Sequence, residues 1–316
     1  MRKLAMRPFS ALKKTRECSL SLLTCVMMGA LVCSCSDRIH VIPDDEEPGV
    51  PVTIRVASLE QEPFGPFGTK AANLKDACSV ISYVIYNSSG DEICKPQLNQ
   101  KSDDESFGTL NVKLEEGEYK LVILAHSSGS NPSMTELSKV DFKTSQKTLR
   151  VTDTFLYNGN ITVVKGMNPL NLNLDRVVAK FELRFTKEFV PDDVKTIEVQ
   201  FDNEASWSLN ANTGLGTRPA SSSSRYTEKV GVNPGDSVVE VFTFICNSPT
   251  ASNINIVAKD SLGAEYKKME LKKVPLTKNR ITVYRGVFFG KEPISMGATV
   301  SVNDEWAGTD SYSLND

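Results

Sequence analysis

The sequence predicts an all-β chain behind a leader segment, and three observations lead there. Short runs rich in Val, Ile, Tyr, Phe and Thr recur between turn signals from about residue 52 to residue 302. No stretch of useful length repeats apolar residues at the spacing of an amphipathic helix. The first 34 residues differ in kind: Arg2, Lys3, Arg7, Lys13, Lys14 and Arg16 face a single acid, Glu17, and an apolar run fills residues 20–32.

That apolar run is shorter than the ~20 residues a permanent bilayer helix needs, so it reads as a leader that is removed. It ends in Leu31-Val32-Cys33-Ser34-Cys35-Ser36, a cysteine behind a small residue, which is the arrangement of a bacterial lipoprotein signal. The peptidase of such signals needs a small residue before the cysteine. Ser34 therefore selects Cys35 over Cys33, which follows Val32, and Cys35 is expected to become the acylated first residue. The alternative is an ordinary signal peptide cut nearby. Met6 as the true start would shorten the basic region without changing this reading.

Composition narrows the function classes. The whole chain has a formal charge of −3, and residues 1–34 hold six bases and one acid, so the remaining 282 residues carry about −8. An acidic chain lacks the footprint of a nucleic-acid binder, and its membrane contact is expected from lipid instead of a basic patch. Its length suits two ordinary domains, each with its own core. Once Cys18, Cys25 and Cys33 leave with the leader and Cys35 is acylated, Cys78, Cys94 and Cys246 remain, enough for at most one internal disulfide. A hairpin turning at Asn87-Ser88-Ser89-Gly90 would set Cys94 opposite Tyr83, away from Cys78. Free thiols are expected, and no spacing resembles a zinc site.

Residues 35–51 hold five acids, one base and three prolines and read as a solvated tether. Acidic residues soon after a lipidated cysteine resemble an export signal to the outer cell surface, here in part, since only Asp37 lies close to Cys35. Strands are expected at 52–57, 78–86, 110–114, 119–126, 155–158 and 161–165. The nearly continuous apolar set at 79–86 suits a central strand covered on both sides. Residues 114–119 join two strands through Gly117. Residues 167–173 read as a connection, followed by strands at 172–186, 194–201, 238–246, 254–259, 265–271, 280–289 and 294–302. Asp260-Ser261-Leu262-Gly263-Ala264 reads as a hairpin turn. Thr213-Gly214-Leu215-Gly216 has no helix after it and so is not a phosphate loop.

Catalytic machinery is sparse. His40 lies in the tether, which leaves His126 as the sole imidazole of the folded body, a strand-end residue beside Ser127, Ser128 and Gly129. No nucleophile elbow is visible. Asp103, Asp104 and Glu105, or Asp192 and Asp193, could supply a carboxylate pair, but adjacent acids in a strand point to opposite faces and in a loop are solvated. Trp207, Tyr226 and Trp306 could form a carbohydrate platform if exposed on a rigid sheet, and core packing explains them equally well. No cofactor is expected.

The cleanest alternation lies near the end. Ile294, Met296, Ala298, Val300 and Val302 share one face of a strand whose other face is small or polar. It either closes its own domain as a last edge strand or pairs with another chain by β-strand addition, main-chain bonds giving affinity and alternate side chains giving register.

Several motifs in this order resemble the Bacteroidales fimbrial proteins of the Fim/Mfa type, the subunits of type V pili, and most closely their lipidated anchors. They are the lipobox at Cys35; Tyr83-Val84-Ile85-Tyr86 with the turn ending at Gly90; residues 114–124 with Gly117 and Tyr119; residues 172–181; and Pro275-Leu276-Thr277-Lys278-Asn279-Arg280-Ile281-Thr282-Val283-Tyr284-Arg285-Gly286 before the terminal strand and Trp306. The resemblance implies two tandem transthyretin-like β-sandwiches, at 52–168 and 169–316, after the leader 1–34 and tether 35–51. It implies a role without catalysis, in which the chain joins other fimbrial subunits by strand exchange and sits in the outer membrane through its lipid. Host or bacterial surface ligands are further partners it allows. Polymerising subunits lose an N-terminal strand to a trypsin-like protease, and the corresponding cuts here would follow Arg55 or Lys70. Anchors keep that strand; stalk and tip subunits share the architecture.

Overall fold

The computed structural model describes residues 49–59, 74–129, 131–142, 150–186, 188–221, 225–290 and the backbone of 295–299. The chain is all-β: among the described residues one four-residue helix, α1 (Leu74–Ala77), interrupts a succession of strands. The first sheet has seven strands in the order β3-β2-β5-β7-β8-β1-β4. They are β1 (Val50–Leu59), β2 (Val80–Asn87), β3 (Ile93–Lys101), β4 (Thr109–Leu114), β5 (Gly117–His126), β7 (Phe155–Val163) and β8 (Leu170–Arg176), with β6 (Val140–Asp141) outside it. The sheet folds over on itself between β7 and β8. Ile81, Tyr83 and Ile85 of β2 and Leu121 and Ile123 of β5 then meet Val52, Ile54, Leu110 and Leu114 from the other leaf in one core.

Every residue of β2 from Val80 to Tyr86 is buried, as expected for a strand covered on both faces. The second face carries Val84 and Tyr86, with Val122 and Leu124 of β5, into a larger core that runs through Phe142 and Leu156 to Phe181, Phe201 and Phe244. That core belongs to a second sandwich. One leaf is β14-β10-β16-β17 and the other β11-β15-β9-β18-β19. These strands are β9 (Ala179–Phe185), β10 (Val194–Phe201), β11 (Ala205–Ser206), β14 (Thr227–Gly231), β15 (Val238–Ile245), β16 (Thr250–Asp260), β17 (Glu265–Leu276), β18 (Ile281–Val287) and β19 (Ser295–Thr299). The short β12 (Ser208–Asn210) and β13 (Leu215–Gly216) form a small sheet with β6. The described residues belong to one compact unit.

Three expectations change. The strand expected at 172–186 is two: β8 pairs with β1 and β7, and only β9 enters the second sandwich. Alternating Leu170, Leu172 and Leu174 need one buried face, and the first core supplies it, so pairing carries the first sandwich to Arg176 instead of residue 168. The segments at 155–158 and 161–165 are one strand, β7, running through Gly159. Residues 114–119 join β4 to β5 as expected, and the two strands pair elsewhere, β4 with β1 and β5 with β2 and β7. Bulges in β2–β3 set Tyr83 opposite Leu98, not Cys94. The Asp260 turn is as expected: Asp260 Oδ1 accepts the N–H groups of Leu262 and Ala264 at 2.9 and 2.8 Å, with Gly263 at φ +80°.

Where the halves meet, two of the sequence motifs touch. Arg176, ending β8, donates from Nε and a terminal nitrogen to both Asp153 carboxylate oxygens at 2.7 and 2.8 Å. Its other terminal nitrogen donates to Asn279 Oδ1 at 3.1 Å, and the guanidinium lies 4.8 Å from the Phe155 ring centre. Asn279 sits just before β18 at φ +58°. A planar fork suits this bidentate task in a way a lysine would not.

Candidate functional site

With strand addition as the expected mechanism, the strand margins are the candidate site. The tethered end comes first. β1 lies between two partners, antiparallel to β4 over Val50↔Leu114 to Arg55↔Thr109 and parallel to β8 over Ile54↔Leu170 to Leu59↔Leu174. Its Val52 and Ile54 are fully buried, worth about 1.5–3 kcal/mol each relative to exposure. Gly49 precedes it at φ +142°, where a Cβ would stand 2.8 Å from the Leu114 carbonyl oxygen. Only glycine lets the chain enter this close to β4. Whatever precedes residue 49 is thus joined to an interior strand. Cys35 lies outside the described residues, as does the cut site expected at Lys70.

The terminal strand is the second margin. β19 pairs antiparallel with β18, Tyr284 opposite Ala298 and Gly286 opposite Met296, and is the outermost strand of its sheet among the described residues. Of the five positions expected on its apolar face, Met296 and Ala298 fall on β19; Ile294, Val300 and Val302 lie outside the described residues. Its neighbour β18 is buried along nearly its whole length and pairs parallel with β9. The third margin is the gap between β3 and β4, the two ends of the first sheet. A groove of about 630 Å³ opens there, lined by both strands. Sequence reading missed β3 because Ile93–Lys101 is polar and contains Pro96, which an edge strand tolerates.

The residues considered for chemistry are built into the core or lie on the surface. His126, fully buried, accepts the Ser128 N–H on Nδ1 at 3.2 Å and packs edge-on against Phe142. Burial lowers its pKa to about 4. This is a strand-end imidazole bonded to its loop. Asp104 Oδ2 caps the Lys101 N–H at 2.7 Å in an exposed turn, and Asp103, Glu105 and Asp193 are exposed in loops. Trp207 and Tyr226 are buried and meet edge-to-face at 5.2 Å, so they are core residues and not a carbohydrate platform. Trp306 lies outside the described residues. Cys78 is buried with its thiol pushed up to about 12, Cys246 is half-buried with its thiol pushed up to about 11, and Cys94 is exposed; all three are free. Glu228, almost fully buried, pairs with Arg150 at 3.3 Å and lies 3.3 Å from the Tyr226 hydroxyl.

Comparison with known proteins places the chain. A family of unknown function, DUF6562, matches residues 62–315. The chain belongs to that family. No curated protein matches it. Among solved structures, the tip fimbrial protein Mfa3 of Porphyromonas gingivalis, with a C-terminal truncation, is 13% identical over 79% of this chain and 99% of its own, at a TM-score of 0.42. A fimbrial assembly protein of Parabacteroides distasonis is 11% identical over 79% of this chain and 94% of its own, at 0.40. A candidate cell adhesion protein of Bacteroides ovatus is 13% identical over 85% of this chain and 100% of its own, at 0.49.

Proposed function

We propose that this chain is a structural fimbrial subunit, the outer-membrane anchor, held by lipid on Cys35 and joined to a neighbouring pilin by β-strand addition through its terminal strand. The observation that carries the reading is the position of β19. The segment with the cleanest alternation in the sequence is the last strand of its sheet, with one margin bonded to β18 and no described strand on the other. Backbone groups on such a margin pair with a strand of another chain, and alternate side chains fix the register. The order of the sequence motifs supports the same reading. So does the place of β1: a pull on the lipid would be borne by a strand bonded on both sides.

An anchor must keep β1 covalently attached to its tether, whereas a cut after Lys70 would leave β1 held by pairing alone and would favour a stalk or tip role. No observation favours the glycan-binding alternative, since Trp207 and Tyr226 are interior. The test is deletion of residues 294–316 in cells that make the fimbria. The account expects a lipidated protein that folds and reaches the surface while fimbriae are shed into the medium. Fimbriae retained as in the parent strain would refute strand addition at this terminus.

A further inference from the structure

β5 and β7 are antiparallel neighbours, with Ala125 opposite Phe155, yet the chain between them is not a hairpin loop. About two to five residues close such a pair, whereas here residues 127–154 lie between the strands. They leave the first sandwich, cross to the second and return. The outgoing arm, residues 131–142, starts on the first sandwich. There the Met134 N–H donates to Gln97 Oε1 at 2.9 Å, Gln97 Nε2 donates to the Pro132 carbonyl at 3.0 Å, and the Tyr86 hydroxyl donates to the Met134 carbonyl. Farther along, the same arm is bonded to the second half. The Ala211 N–H donates to the Leu137 carbonyl at 2.7 Å, β6 pairs with β12 as Val140↔Leu209 and Asp141↔Ser208, and the Phe142 N–H donates to the Trp207 carbonyl at 3.2 Å. The returning arm, residues 150–154, runs the other way. Arg150 lies 3.3 Å from Glu228 and donates to the Glu240 carbonyl at 3.1 Å; Thr152 Oγ1 then accepts the Ser127 N–H at 2.9 Å, beside the end of β5.

The inner side of both arms is apolar. Met134, Val140, Phe142 and Val151 are fully buried and Leu137 nearly so. They share one core with Val84, Tyr86, Val122 and Leu124 of the first sandwich and with Phe181, Phe201 and Phe244 of the second. The Phe142 ring bridges the two directly, 5.6 Å from the His126 ring at the end of β5 and 5.1 Å from the Phe244 ring of β15. The second core is not complete without these arms, and the same arms cover the outer face of β2 and β5.

We infer that residues 131–142 and 150–154 are a clasp that fuses the two sandwiches into one cooperative unit, with no hinge between β1 and β19. Domains that meet through modest polar interfaces move relative to one another by default. Here the interface is apolar and interleaved, so opening either sandwich exposes apolar surface of the other. A pull applied between β1 and β19 meets one unit instead of two in series. The inference goes beyond the anchor reading and holds whatever the chain's role, since it concerns only how the halves are joined.

The test takes the full-length mature chain through urea and reads pulsed hydrogen exchange by mass spectrometry, for β2 and β5 in one sandwich and for β10 and β16 in the other. Both sets are expected to open together, at midpoints within about 0.2 M. Leu121→Ala, in the first core alone, should lower the midpoint of β16 as far as that of β2. Phe142→Ala should separate the two sets by about 0.5 M or more, and the milder Phe142→Leu should separate them by less. Two separate transitions in the parent, a Leu121→Ala effect confined to the first sandwich, or Phe142 variants whose two sets still open together would each overturn the inference.

Discussion

Replacing His126 by asparagine separates a structural imidazole from a reactive one by its effect on stability against pH. The folded chain holds this ring at a pKa of about 4, because charging it would strand a cation in the core beside Phe142. An unfolded chain protonates it near 6.5. The unfolded state therefore binds a proton between these values that the folded state does not. Stability from this group is complete above pH 6.5 and is lost as pH falls toward 4. The full difference is about 3 kcal/mol, and about 2 kcal/mol is already gone at pH 5. Asparagine can keep the acceptor for the Ser128 N–H and does not titrate. Urea unfolding at pH 7.5 and 5.0 should show the parent losing about 2 kcal/mol more than His126→Asn. The carboxylates titrate alike in both proteins and cancel. Equal losses would mean that the ring is protonated in the folded state, and the account of a sealed strand end would be wrong.

Three other outcomes follow from the packing. Arg176→Ala should cost about 3 kcal/mol in equilibrium unfolding, because it leaves the Asp153 carboxylate and the Asn279 side chain without their fork, and Arg176→Lys should recover less than half of that. Ile54→Ala should cost about 2–5 kcal/mol, since its side chain is fully enclosed between the leaves, and should raise hydrogen exchange in β1 before the rest of the sheet. Trp207→Ala should cost about 3–5 kcal/mol by thermal or urea unfolding, whereas Leu262→Ser, at a turn tip 92% exposed, should stay within about 0.5 kcal/mol.

The strands that were legible in the sequence are those with a decisive apolar signal. Val80–Asn87 has apolar residues at both parities and proves to be covered on both faces, and Asp260 to Ala264 carries its turn chemistry locally. Edge strands were not legible. β3 and β14 are polar because one margin and much of one face meet water, so their membership rests on neighbours distant in sequence. The place where the first sandwich ends was misread for a related reason. The leucine alternation of β8 looks the same whichever core it fills, and only its pairing with β1, more than 100 residues earlier, decides. Of the candidate site, the terminal alternation could be read directly. The groove between β3 and β4 could not, because it exists only once the sheet has curled and brought its two ends face to face.

The most direct measurement is a photo-crosslinking scan along the terminal strand in fimbriated cells, with a benzophenone side chain placed singly at each position from 295 to 302. Pairing with a neighbouring subunit predicts intermolecular adducts at alternating positions, because successive side chains of a strand point to opposite faces. The same adducts should vanish from detergent extracts of cells that lack the partner pilin. No adduct at any position, or adducts formed only within the chain itself, would contradict the account.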